Sequence, residues 1–303
     1  MAEHGLTPRA NDGAASDQPQ GRRLPGHIEA ALAGAGGAAD SAGQPWAGRS
    51  LAGENASSHN FEDDDGTADN AYLAAVDALL SGEGDEAEVV ASLAAARVFV
   101  PVVAQLAEEA EGVGGLHADK QADMALVTLK APDGRLAMPV FSSSTALAAW
   151  HPEARPVAVY APRAALSAVA EGAELLVVDP GSEVTFVVRR PAVWSLAQQH
   201  QWVPAYRDPE LVRMLESAAA AWPSVRHLEV LPGEGVAAST ASGRRIPGGG
   251  PGPELRVVLY LEDGLDAAGV QSLVAGLQNE WSRNVLFGER VDSIEVKLRR
   301  AAQ

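Results

Sequence analysis

The acidic run Glu62-Asp63-Asp64-Asp65-Gly66, with Asp69 behind it, is the densest set of candidate metal ligands in the chain. A calcium loop of the EF-hand kind needs carboxylates at its first and twelfth positions and glycine at its sixth. With Gly66 as the sixth residue those positions are Phe61 and Tyr72, so the pattern fails. The run reads instead as a solvated turn ahead of a helix, whose dipole favours carboxylates at its N-terminus. Gly233-Glu234-Gly235-Val236-Ala237-Ala238 copies G-x-G-x-x-A after a strand. A dinucleotide site needs a helix to open there, and this sequence runs on into Ser, Gly, Arg and Pro. Ser142-Ser143-Ser144 lacks both a nucleophile elbow and a lysine at S-x-x-K spacing, and helix capping accounts for it. His117, His151, His200 and His227 have no partner at metal-ligand spacing. Cysteine is absent, which removes thiolate nucleophiles, thiolate zinc sites and disulfides. No catalytic, cofactor-binding or metal-binding residue is expected.

What remains is polar surface. Lys130, Asp133 and Arg135 flank a Pro-Asp-Gly turn and are read as pointing into solvent near one another. A surface pair there contributes about 0–1 kcal/mol, so the cluster is offered as a patch for a protein partner rather than as a stabilising device. Trp46, beside a polar leader, is the other candidate partner-binding residue. A site of a different class would lie at the junction Gln198–Arg207, which carries His200, Trp202, Tyr206 and Arg207. Clefts between domains are common ligand sites, so the alternative is a small-ligand binder or an enzyme working there.

The elements that would position these residues follow from pattern. The 303 residues suggest two domains, and 47% hydrophobic content can fill their cores. A net charge of −17 repels phosphate backbones, so nucleic acid is not an expected partner. The most apolar stretch, Val89–Leu106, is broken by Arg97, Pro101 and Gln105, so no membrane span is expected. Residues 1–20 lack a signal-peptide profile, and the expected location is the cytoplasm. Residues 1–43 are rich in Ala, Gly and polar types without a period, and are read as a disordered leader.

The first domain is expected over residues 44–203. Asp69 and Asp85 cap its first two helices, and Arg97–Val103 is a strand that Pro101 pushes toward an edge or a bulge. Asp123–Lys130 and Arg135–Phe141 form a hairpin whose first strand, apolar on both faces, is expected at the centre of a sheet. Further strands and helices run to His200. The second domain, residues 204–303, reads as a small α-β-β-α-β unit with two helices on one face of its sheet. Asp208 and Asp266 cap those helices, and Leu255–Glu262 is the central strand. Its last strand is expected to turn Ile294, Val296 and Leu298 inward. Residues 232–253, rich in Gly and Pro, are read as a mobile loop. The fold class is α/β in the α+β sense: two mixed-sheet domains behind a leader.

The run Asp123–Phe141, with Ser142–Trp150, Ala154-Arg155-Pro156-Val157 and Glu171-Gly172-Ala173, resembles the SseB family as found in actinobacteria. Pro45-Trp46-Ala47-Gly48-Arg49 and Asp64-Asp65-Gly66 look like the start of the same N-terminal domain. Residues after Asp208 look like the SseB C-terminal domain: the Pro-Glu-Leu helix start, Leu255–Leu261, then the last amphipathic helix and strand. The resemblance spans roughly residues 45–300. It implies a poorly characterised two-domain protein with no assigned active site, so no catalytic residue carries over. The expectation is a non-catalytic protein-interaction module with a protein partner of unknown identity.

Overall fold

A computed structural model describes residues 61, 64–105 and 123–301. The expected leader over residues 1–43 and Trp46 lie outside the described residues.

Two capped helices open the first domain. Helix α1 spans Asn70–Ser81, with the Asp69 carboxylate accepting from the amides of Ala71 and Tyr72. Helix α2 spans Glu86–Leu93 behind a full capping box made by Asp85 and Glu88. Strand β1, Arg97–Gln105, follows. Strands β2 (Asp123–Leu126), β3 (Leu129–Lys130) and β4 (Leu136–Val140) come next. Helix α3 (Ser144–Trp150) starts at a Ser143 cap. Strand β5 (Arg155–Tyr160) leads into α4 (Ala161–Ala170). Strands β6 (Leu175–Val178) and β7 (Phe186–Val188) precede α5 (Arg190–Ala197).

These strands form two short sheets, ordered β2-β1-β5 and β3-β4-β6-β7. Phe99 of β1 and Phe141 just after β4 exchange both backbone bonds, at 2.7 and 2.9 Å, and so join the sheets. Alternation sorts β1 onto two faces. Val98 and Val100 enter the main core with Leu79, Val89, Met138, Ala165, Leu176 and Val193. Phe99 enters a smaller cluster with Phe141, Leu147 and Ala154, against which Trp150 packs.

Two sequence expectations change here. The segment Asp123–Lys130 is not one central strand: its first half pairs with β1 and its second with β4, each at a sheet edge. Its double apolar pattern reflects a strand that breaks at 127–128 to serve two sheets. Pro101, in turn, does not push β1 to an edge, because β1 is the middle strand of its sheet. Phe99 directs its amide toward Phe141, away from β5, and Pro101 shares its parity. Pro101 therefore faces Pro156 at a position where neither amide is required, and β2 ends at Leu126, one residue short of opposing it.

In the second domain, α6 spans Pro209–Ala220 behind an Asp208 cap. Strand β8 is Val225–Pro232 and β11 is Leu255–Leu261. Helices α7 (Ala267–Arg283) and α8 (Val285–Arg290) lead to β12 (Ile294–Arg300). The sheet order is β12-β11-β8, with β11 central. The parallel β11–β12 pair needs the crossover that α7 and α8 supply. Leu255, Val257, Leu259 and Leu261 point into one core with Leu211, Leu215, Leu273, Leu277 and Trp281. Leu298, expected inward, is 41% exposed, in the exposed second half of the edge strand β12.

Residues 232–253 are also different from their expectation. They hold a 3-10 turn at Glu234–Val236 and the strands β9 (Ala237–Ser239) and β10 (Arg245–Gly249), paired as a ribbon. That ribbon docks on the first domain: Ile246 is 1% exposed and belongs to the first core. The glycines serve close approach rather than freedom. A β-carbon at Gly249, where φ is +72°, would lie 2.4 Å from the Phe186 ring, and one at Gly248 would lie 2.9 Å from Glu86 Cβ.

Candidate functional site at the interdomain seam

Ribbon and hairpin tip together bring buried charges from both domains to one seam. Arg189, the residue that opens α5, is 1% exposed and donates from Nη1 to both carboxylate oxygens of Glu86, at 3.2 and 3.1 Å. Glu86, also 1% exposed, accepts further bonds from the Tyr206 hydroxyl at 3.1 Å and the Gly249 amide at 3.3 Å. One carboxylate at the start of α2 thus ties together the first domain, the junction and the ribbon. Burial, and then the Glu86 carboxylate, push the Tyr206 hydroxyl above its ordinary range, so it serves as a neutral donor.

Glu254, immediately before β11, is fully buried. Its carboxylate accepts from the Ala205 amide at 3.2 Å and the Asp292 amide at 3.0 Å. Burial pushes its pKa from the ordinary 4.5 up to about 7. The charge of Arg189 and the two amide bonds oppose that rise, and the neighbouring Asp292 adds to it. Among the described residues, two N–H groups of Arg189, at Nε and Nη2, have no hydrogen-bond partner, nor does the Trp202 indole N–H.

The hairpin tip closes the seam on its other side. Arg135 donates from Nη1 to both oxygens of Asp292, at 3.0 and 2.9 Å. Its Nη2 reaches the Pro251 carbonyl at 2.7 Å, and its Nε holds Asp133 at 2.7 Å. Burial would raise the Asp133 carboxyl, but the bonds and charge of Arg135 outweigh it and hold the group below its ordinary range. Arg190 reaches across from α5 to the carbonyls of Gly288 and Val291, at 2.9 and 2.5 Å, where α8 ends. Arg207 pairs with Asp85 at the rim.

The expected surface cluster is therefore divided. Lys130 is exposed, Asp133 braces Arg135, and Arg135 clamps the second domain instead of pointing into solvent. A hairpin tip signals exposure from local pattern alone, and the acceptor at Asp292 is remote in sequence. Of the proposed junction residues, Tyr206 and Arg207 join the seam network, Trp202 enters the first core and His200 is exposed. Glu86, Arg189, Glu254 and Asp292 were not singled out by sequence. The available signal was a charged residue beside apolar neighbours in each case, which is weak.

The acidic turn does structural work. Asp64 pairs with Arg97 at 2.5 Å, Asp65 accepts from Thr67, and Asp69 caps α1. Among the described residues there is no cluster of three or more His, Cys, Asp or Glu able to hold a metal ion. No helix among them is long and apolar enough to cross a membrane.

An open groove of about 890 Å³ lies beside the seam, between the ribbon and the face of the second sheet not covered by α6 and α7. Glu234, Ala238, Arg245, Pro247 and Arg256 line it.

Residues 73–195 match the family model described as SseB protein N-terminal domain. The match makes this region similar to the SseB N-terminal domain. It runs from α1 to α5 and contains Glu86, Arg135, Arg189 and Arg190, the SseB-domain half of the seam. Glu254 and Asp292, the opposing half, lie beyond it. No curated protein and no solved structure matches the chain.

Proposed function

We propose that this chain is a non-catalytic cytoplasmic protein-interaction module of the SseB family, actinobacterial in type, with residues 204–303 as its SseB C-terminal domain. One observation carries the reading: most of the charged side chains at the junction, Glu86, Arg135, Arg207 and Asp292 among them, are engaged with one another. Glu86 accepts from Arg189, Tyr206 and the Gly249 amide, and Arg135 is spent on Asp292, Asp133 and Pro251. Such a network holds two domains together as one platform. It leaves exposed Lys130 as a candidate contact residue on the first domain, with Asp133 and Arg135 shaping the hairpin tip beside it; Trp46, outside the described residues, is the other candidate.

Affinity capture of the tagged full chain from cell lysate under gentle crosslinking tests the reading. A partner recovered at stoichiometric level, and reduced when Lys130 is changed to Glu, supports it. Recovery of no protein above the untagged control counts against it.

A second reading, a small-ligand binder or enzyme at the junction, is favoured by Glu254, whose proton is held up to about pH 7 beside Arg189. Perturbed acids of this kind concentrate at functional sites. A thermal-shift screen against a metabolite library with no stabilising compound removes it.

A further inference from the structure

The groove between ribbon and second sheet has one charge that the fold does not neutralise. Arg256 pairs with Glu234 at 2.9 Å and with Glu295 at 2.8 Å, and Lys297 reaches the same two carboxylates at 3.6 and 3.3 Å, so two positive and two negative charges cancel there. Arg245, exposed on β10 at the groove's wall, has no ion pair or hydrogen bond among the described residues. The groove therefore presents an uncompensated positive charge in a chain of net charge −17.

Its wall also has an unpaired strand edge. Among the described residues β9 pairs with β10 and with no other strand. The Thr240 amide donates to the Arg244 carbonyl at 2.8 Å, so that pair faces inward across the ribbon. Ser239 has the opposite parity and opposes Arg245, so its N–H and C=O point away from β10 and its side chain shares a ribbon face with Arg245. A free backbone edge beside a cation fits an extended segment that adds a strand and places an acidic side chain on the cation.

We infer that this groove binds an extended acidic peptide segment of a partner protein, which pairs with the outer edge of β9 at Ser239 and sets a carboxylate on Arg245. The inference rests on the protein-interaction reading and assigns it a surface. Arg245 contacts the ligand directly, while Glu234, which also lines the groove, is held in ion pairs by Arg256 and Lys297.

The test uses the full chain and a fluorescein-labelled peptide, Thr-Val-Glu-Val-Glu-Val-Thr, with a twin in which lysine replaces each glutamate. Fluorescence anisotropy reads affinity, and hydrogen exchange reads protection of the Ser239 amide. The acidic peptide is expected to bind, to protect Ser239, and to weaken with added salt. Arg245→Glu is expected to lower its affinity at least tenfold and to favour the lysine twin, while Arg245→Lys keeps binding within a few-fold. Circular dichroism of the variants checks that this exposed position leaves the fold intact. Equal binding of both peptides, no binding of the acidic one, or protection that omits Ser239 would overturn the inference. Self-association abolished by Arg245→Glu would overturn it in favour of a second copy of the chain. A partner captured equally by wild type and Arg245→Glu removes the groove but keeps the protein-interaction reading. Capture of no partner, with the acidic peptide still bound at Ser239, removes a lysate partner and keeps the groove.

Discussion

Glu254→Gln separates a titrating carboxyl from a merely structural one at the centre of the seam. Glu254 is fully buried and its folded pKa is about 7 against an ordinary 4.5. The folded-state value lies above the unfolded one, so folding favours the protonated acid. The stability this confers is complete below about 4.5 and is lost as pH rises through about 7. The linkage relation for these two values gives a total loss of about 3 kcal/mol, of which about 2.5 kcal/mol falls between about pH 5 and about pH 8.

Gln cannot ionise, but it offers one carbonyl where the carboxylate accepts from both Ala205 and Asp292. One amide loses its acceptor, at a pH-independent cost of about 1–3 kcal/mol. Charges shared by both proteins, those of Arg189 and Asp292 included, cancel in the comparison. The variant is therefore less stable than wild type at low pH, and the gap closes or reverses as pH rises. Urea unfolding followed by tryptophan fluorescence, repeated across this pH range, measures the difference directly. A difference that stays constant with pH, or one that grows in favour of wild type, refutes the account of Glu254.

Arg135→Ala strips the guanidinium from Asp292, whose side chain is 1% exposed, and is expected to cost about 3 kcal/mol in urea unfolding. Lys130→Ala, five positions away in sequence on an exposed site, is expected to change stability by less than about 0.5 kcal/mol. Equal small effects at both positions would return Arg135 to the solvent-facing cluster that the sequence suggests. Ile246→Ala is expected to destabilise the first domain by about 2–4 kcal/mol, because its side chain is 1% exposed within that core. A neutral result would mean that the ribbon does not dock. Asp85→Ala removes the capping box of α2 and the pair with Arg207, and is expected to cost about 1–2 kcal/mol by thermal unfolding.

Local signals in this sequence are decided by local chemistry, and there the reading from residues holds. The caps at Asp69, Asp85, Ser143, Asp208 and Asp266 each start the helix they announce, because a side-chain acceptor two or three residues from an amide needs no distant partner. The near-continuous apolar run Leu255–Leu261 likewise marks a buried central strand. The contiguous motifs around Asp123–Trp150 resemble SseB, and the family match over residues 73–195 agrees. What tertiary structure decided was pairing across long separations. Arg135 meets Asp292 across 157 positions, Arg189 meets Glu86 across 103, and Ala205 meets Glu254 across 49. Spacing in sequence carries no information about such pairs, since each partner lies on a separate element whose position only packing sets. The Gly- and Pro-rich segment shows the same division. Its composition signals freedom of the backbone, while its use depends on the neighbour: at Gly249 the missing side chain is the space that Phe186 occupies.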